Sequence, residues 1–273
     1  NVNDAPTWDS FSTTVSIAEN VTSGNLLEVS ATDVDGQTPT YSIESKDILI
    51  NPPESARSYS SILNNAAVGT GAARSRLYSD RGWSSASNSV DEWMQIDLGT
   101  NMYVLKTITQ RRNGQNQRVI EYEAHTSTDG TNFVNRGTFD GNANNESFAY
   151  GEFSTPVLAR YVRFYVQEWV NFITMRAGLV VRISDSFEIS DSGVLSLEKP
   201  LNYEIFNSTN PAIITIQATT GSDTIQQDIS INVTNVNEPP ITTDFAFSVN
   251  EDVERSFDFI RSIYDVDVGT NYF

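Results

Sequence analysis

The segment Asp33-Val34-Asp35-Gly36 sets two carboxylates two residues apart, directly before a glycine suited to a turn. Oxygen donors of this kind suit a hard cation, because Ca2+ takes roughly six to eight oxygens from flexible carboxylates and carbonyls. The pattern recurs as Asp265-Val266-Asp267-Val268-Gly269. Two further signals precede each copy in the same order. Asn1-Val2-Asn3-Asp4-Ala5-Pro6 and Ile17-Ala18-Glu19-Asn20 lead to the first, and Asn235-Val236-Asn237-Glu238-Pro239-Pro240 and Val249-Asn250-Glu251-Asp252 lead to the second. A single Asp-x-Asp favours a solvated acidic turn, whereas the repeated set favours Ca2+. Other site chemistry is sparse. There is no cysteine and one histidine, His125, which removes disulfides and thiolate sites and leaves no His-rich zinc cluster. The sequence contains no nucleophile elbow, no His-Glu-x-x-His and no recognisable pair of catalytic carboxylates, so the chain reads as non-catalytic.

The elements that must position these groups are strands. Short alternating runs such as Thr14-Val15-Ser16-Ile17 and Ile213-Ile214-Thr215-Ile216 are bounded by Gly, Asn, Asp and Pro, and no long amphipathic helix is evident. The expected class is all-β, built of sandwiches. The 273 residues carry 35 acids against 17 bases, a net charge of −18. The excess lies outside residues 48–184, which hold 13 Lys/Arg and 12 Asp/Glu. Such a chain is repelled by nucleic acid and anionic membranes and attracts cations. No apolar run reaches the roughly 18 residues of a spanning helix. The two copies of the acidic pattern begin at residues 1 and 235, much further apart than a sandwich repeat of about 100 residues requires. Something is therefore inserted into the first copy. The expected division is a split repeat over 1–47 and 185–240, an insert over 48–184, and the incomplete start of a further repeat over 241–273. The opening at Asn1 reads as a linker within a longer protein.

The flanks resemble a cadherin-type repeat. The Asn-Val-Asn-Asp/Glu linkers, Glu19, the stretch Phe187-Glu188-Ile189 through Gly193-Val194-Leu195, and Leu201-Asn202-Tyr203-Glu204 carry the likeness. It implies Ca2+ between successive domains. The junction after the first repeat would use Glu19, Asn202, Glu204, Asn235, Asn237, Glu238, Asp265 and Asp267. The junction before it would use Asn3, Asp4, Asp33 and Asp35. Thr220, Asn202 and Asn235 stand where the family often has carboxylates, which implies affinity in the high-micromolar to millimolar range.

The insert resembles the discoidin family, the coagulation factor V/VIII type C domain. The motifs are Gly82-Trp83-Ser84, Glu92-Trp93-Met94-Gln95-Ile96-Asp97-Leu98-Gly99, Ile108-Thr109-Gln110-Arg111-Arg112, Ser127-Thr128-Asp129-Gly130, Ala159-Arg160-Tyr161-Val162-Arg163, and Trp169 with Met175-Arg176. The likeness implies an eight-stranded jelly-roll-like sandwich with function in loops at one end. It also implies that Trp83 and Trp93 belong to the core, and the expectation follows that Arg160, Arg163 and Arg176 pair with Asp97. His125, on the alternating run Tyr122–Thr126, reads as a packed or surface residue. The candidate loops are Leu63–Ala73, Ser84–Asp91 and Arg111–Arg118. Arg111, Arg112, Asn113, Gln115, Asn116 and Arg118, with Ser87 and Asn88, form a donor-rich set suited to sugar hydroxyls or a carboxylate. The same stretch reads equally as a solvated hairpin turn, because Asn113-Gly114 is a hairpin signal. The polar loop tips argue against direct membrane insertion, and Ala177-Gly178 after Arg176 argues against the structural Ca2+ of some sugar-binding relatives.

The reading that unites these features is an extracellular, cell-surface adhesion module. A calcium-rigidified stalk repeat, adjoining neighbouring repeats of the same chain, displays a domain that binds carbohydrate on another cell or matrix. The alternatives are a structural or protein–protein contact module with a peptide or protein ligand, and an accessory module of a larger secreted hydrolase. Four Asn-x-Ser/Thr sequons, at Asn20, Asn145, Asn207 and Asn232, do not decide the origin.

Overall fold

Alternation of buried and more open positions runs along the long strands Trp93–Gln110 and Asp223–Thr234, as the period of two demands. The computed structural model describes residues 3–143, 147–207, 209–239, 241–242 and 263–264. Residues 1–234 make one compact unit and 235–273 a second. The first five strands are β1 (Thr7–Trp8), β2 (Thr14–Ala18), β3 (Gly24–Glu28), β4 (Ala31–Thr32) and β5 (Thr40–Ile43). Eight follow in the middle segment: β6 (Asp47–Ile50), β7 (Arg57–Tyr59), β8 (Trp83–Ser84), β9 (Trp93–Gln110), β10 (Arg118–Ser127), β11 (Val134–Asp140), β12 (Ala149–Val170) and β13 (Thr174–Arg182). Then come β14 (Phe187–Ile189), β15 (Val194–Leu197), β16 (Ala212–Thr220) and β17 (Asp223–Thr234). In the second unit β18 (Ile241–Thr242) pairs antiparallel with β19 (Ile263–Tyr264). Helical structure among the described residues is limited to three short 3-10 turns.

Strands before and after the middle segment pair with one another. One sheet runs β2-β17-β16-β5, with β2 parallel to β17, and a second runs β14-β15-β3. Ile214, Ile216, Ile229, Ile231, Leu195 and Leu197 point inward and are fully buried. The middle segment forms its own sheet, β11-β10-β12-β9-β13-β6, with β7 on β9 and β8 on β13. Met94, Ile96, Leu98, Val162, Phe164 and Trp83 fill its interior. Register shifts along β9 and β12 bend these strands of 18 and 22 residues.

Among the described residues, two of the places where the middle segment meets the flanking chain are set by named contacts. Its entry and exit strands form a ladder that closes at Asp47 opposite Arg182, whose guanidinium donates twice to that carboxylate at 2.8 and 3.3 Å. The second place is the turn after Leu98. Thr100 Oγ1 donates to the Pro200 carbonyl at 2.9 Å, and Lys199 Nζ lies 4.5 Å from the Tyr103 ring centroid. Gly99 has φ +72°, and a Cβ there would lie 1.8 Å from Asn202 Nδ2, so only glycine permits this approach.

Candidate functional site

The residues expected to bind Ca2+ fall into two groups in the first unit. In one, β16 ends at Thr220 and the turn at Gly221 brings Asp223 beside the chain start. Asn3 donates to Asp223 and accepts from Gln37. The Asp4 amide donates to Asp35 Oδ2 at 2.9 Å, and the Asp35 amide donates to Asp33 Oδ1 at 2.8 Å. Thr220 Oγ1 donates to Asp33 Oδ2 at 2.6 Å. That hydroxyl, helped by two backbone amides, outweighs burial and holds the Asp33 carboxyl below its ordinary range. Asn3, Asp4, Asp33 and Asp35 are thus brought together, with Thr220 as second partner of Asp33.

The other group lies where β2 ends. Glu19 is only 3% exposed, and its Oε2 accepts the Tyr203 amide at 3.1 Å. A carboxylate oxygen of Glu204 lies within 4.8 Å of one from Glu19. Asn202 Oδ1 is buried and has no hydrogen-bond partner among the described residues. Two carboxylates this close repel unless a cation or proton intervenes, and a buried orphan carbonyl is costly. This oxygen-only set fits a hard cation. Asn235, Asn237 and Glu238 fall in the second unit, and Asp265 and Asp267 lie outside the described residues.

At one end of the middle segment three connections are cross-tied. Asn88 Oδ1 accepts the Ile173 amide at 2.9 Å, and its Nδ2 donates to the Asn171 carbonyl at 3.4 Å. Asn171, at φ +60°, donates to the Asn116 carbonyl, and Arg118 donates to Asn116 Oδ1. Arg112 Nη1 donates to Gln117 Oε1 at 2.8 Å. Ser87 Oγ donates to Glu92 Oε1 at 2.7 Å. Arg118 is only 7% exposed, and it braces the loop from beneath. Asn113 and Gln115 face solvent, flanked by the half-buried Arg111 and Arg112.

The expected pairing with Asp97 holds for one arginine. Arg160 donates to both Asp97 oxygens at 2.8 and 3.0 Å, which raises its pKa further. Arg163 instead donates to Gln95 Oε1 and lies between the rings of Trp93 and Phe133, 4.1 and 3.9 Å from their centroids. Strand register explains this, since Arg163 stands opposite Gln95. Arg176 donates to the carbonyls of Arg111 at 2.7 Å and Ser79 at 2.6 Å. Trp93 is half-buried on the outer face under Arg163, whereas Trp83 is fully buried. His125 is half-buried and contacts Glu123 and the Tyr165 ring.

Glu92 has a role its place in a motif did not reveal. It is 8% exposed and accepts from Ser60, from Ser61 at 2.7 Å and from Ser87. Burial alone would raise its pKa, but the three hydroxyls outweigh burial and hold it below the ordinary range. It therefore pins the Ser84–Asp91 loop to the segment before β8. A cluster of Tyr78, Phe148 and Tyr150 beside Gln110 was also illegible in the sequence.

Residues 55–179 match the F5/8 type C domain family model. Lactadherin of Rattus norvegicus is 42% identical over 106 residues, covering 36% of this chain and 25% of that protein. Neuropilin-1 of Gallus gallus is 32% identical over 114 residues, covering 38% of this chain and 12% of that protein. The chain thus spans about a quarter or less of these curated relatives. Among solved structures, discoidin II of Dictyostelium discoideum has a TM-score of 0.37 at 18% identity, covering 63% of this chain and 59% of that one. The family 32 CBM of C. perfringens NanJ has a TM-score of 0.37 at 18% identity, covering 49% and 99%. No helix among the described residues is long and apolar enough to cross a membrane.

Proposed function

We propose that the middle segment is a non-catalytic, extracellular carbohydrate-binding module whose contacts lie in the Arg111–Arg118 loop. One observation carries the reading: the loop is tied to its neighbours through Asn88, Asn171, Asn116 and Arg118, while Asn113 and Gln115 stay open to solvent beside Arg112. Planar amide and guanidinium groups match the paired hydroxyls of a sugar, and the tied loop backbone reduces the ordering cost of binding. The match to the F5/8 type C family supports a binding role. The test is capture of glycans by the whole chain, compared with a variant carrying Arg112→Ala, Asn113→Ala and Gln115→Ala. Capture at least tenfold weaker in the variant, with an unchanged fold, supports the site. Equal capture moves it elsewhere.

The host repeat serves in this reading as a Ca2+-stiffened stalk. Glu19, Glu204 and Asn202 would hold an ion at one position, and Asn3, Asp33 and Asp35 at the other. Ca2+ would supply positive charge that offsets the repulsion among these oxygens and fixes the loops that carry them. The support is the buried Glu19 beside Glu204 and the orphan Asn202 carbonyl. Calorimetric titration of the chain with Ca2+, before and after Glu19→Gln, tests it. Heat that is the same for both proteins would exclude Glu19 as a ligand.

A further inference from the structure

A concavity of about 390 Å³ opens where the middle segment meets the flanking chain. That volume lies within the roughly 300–1,000 Å³ of small-molecule sites, which favour seams between domains. The middle segment lends it Asn101, Thr128, Leu158 and Arg160, and the flanking chain lends it Lys199 and Pro200. None of the three candidate loops lines it. The chain carries 35 acids against 17 bases, yet among the described residues two cations and no carboxylate line this cavity. Walls of one sign concentrate ligands of the other, so the cavity favours an anion.

Both cations are held in place and keep donors to spare. Arg160 spends Nε and one hydrogen of Nη2 on the Asp97 carboxylate, at 2.8 and 3.0 Å. Its Nη1–Nη2 edge still offers a fork for a second carboxylate. Asp97 is occupied as well, because it also accepts the Gly99 amide at 2.7 Å. Lys199 Nζ donates to the Asp185 carbonyl at 2.7 Å and lies 4.5 Å from the Tyr103 ring centroid, and its ammonium keeps a further hydrogen for a ligand. The adjoining turn is fixed, since Gly99 lies against Asn202 and Thr100 is tied to the Pro200 carbonyl. Asn101 and Thr128 are exposed, and among the described residues their side chains make no protein hydrogen bond. Leu158, 38% exposed, adds an apolar patch beside Pro200. Groups ordered in advance reduce the entropy lost on binding. The two cations less the neighbouring Asp97 leave one net positive charge, which matches a monoanion and disfavours a dianion such as phosphate.

We infer that this seam is a binding site for a carboxylate-bearing ligand with an apolar stem. Arg160 and Lys199 share the carboxylate, Asn101 and Thr128 offer further polar partners, and Leu158 and Pro200 cover the stem. Arg160 belongs to the middle segment and Lys199 to the flanking chain, so the ligand ties the two together. The site is separate from the Arg111–Arg118 loop and stands whether or not that loop binds sugar.

The test uses the whole chain and follows the backbone amide signals of Gly99, Thr100, Asn101 and Thr128 by NMR. The probes are butyrate, the methyl glycoside of glucuronic acid and the α-amide of N-acetylglutamic acid, with butyramide and inorganic phosphate as controls. The variants are Arg160→Lys, which keeps the charge and loses the fork, Lys199→Met, which keeps the stem and loses the charge, and Asn101→Ala. At least one carboxylate should shift these signals saturably, with butyramide inert and phosphate at least tenfold weaker. Affinity should fall at least tenfold in Arg160→Lys and in Lys199→Met, and stay unchanged in the Arg112→Ala, Asn113→Ala, Gln115→Ala variant. The tightest of the three carboxylates identifies the source as a free acid, a sugar acid or an acidic side chain. No saturable shift with any of the three would overturn the site. So would butyramide binding as well as butyrate, phosphate binding as tightly as the carboxylates, or full affinity in both charge variants. If the charge variants melt many degrees below wild type, Asn101→Ala decides in their place. Affinity at least threefold weaker there supports the site, and unchanged affinity overturns it.

Discussion

Replacing Glu92 with alanine removes three hydrogen bonds to one buried carboxylate. Each bond to a charged acceptor contributes about 1.5 kcal/mol at the low end, and together about 4.5 kcal/mol. Ser60 and Ser87 are exposed, so their hydroxyls recover water and reduce the loss. Ser61 is less open, and its oxygen also accepts the Ala86 amide at 2.9 Å, so that contact loosens too. The expected net cost is about 3 kcal/mol, or roughly 10 °C in melting temperature for a domain of this size. Glu92→Gln should cost less, because the amide keeps one acceptor. The sign of the pH dependence follows from the lowered pKa of Glu92 in the fold. Its contribution is complete above its unfolded value of about 4.5 and is lost as pH falls below that value toward the folded one. Thermal melts of wild type, Glu92→Gln and Glu92→Ala at pH 7 and pH 3, with hydrogen exchange at residues 85–91, measure this. A cost under about 0.5 kcal/mol for Glu92→Ala, or a wild-type to Glu92→Gln gap that widens in acid, would refute the reasoning.

Further outcomes follow from other contacts. Gly99→Ala meets both a positive φ and Asn202, and should cost at least about 1 kcal/mol in thermal unfolding. It should also weaken Ca2+ binding measured by calorimetry, because Asn202 must move. Ca2+ at about ten times its dissociation constant should raise stability by about 1.4 kcal/mol, seen as a calcium-dependent melting shift. Asp33→Asn should reduce that shift, and an undiminished shift would remove Asp33 from the ligand set. Arg160→Ala breaks a two-bond pair with both partners about a third exposed, and should cost no more than about 1 kcal/mol in denaturant unfolding.

Patterns of period two made the strands legible before any coordinates. The turn at Gly36, with its positive φ, was legible in the same way, whereas the burial of Glu19 was not. Pairings that depend on strand register were not legible. Arg163 stands opposite Gln95, and Arg176 reaches two carbonyls far apart in sequence, neither of which spacing along the chain reveals. Arg118 read as one more polar loop residue, yet it lies at the start of β10 and is buried. The left-handed backbone of Tyr78, at φ +66°, was invisible for a different reason: residue type alone does not encode it. The docking of Gly99 against Asn202 is similarly a product of tertiary approach.

The most direct test of carbohydrate binding is a glycan array probed with the whole chain, once in Ca2+ and once in chelator, beside the Arg112→Ala, Asn113→Ala, Gln115→Ala variant. The account predicts oligosaccharide hits that survive chelation and weaken at least tenfold in the variant. An empty array in both buffers, or hits that the variant retains at full strength, would contradict it.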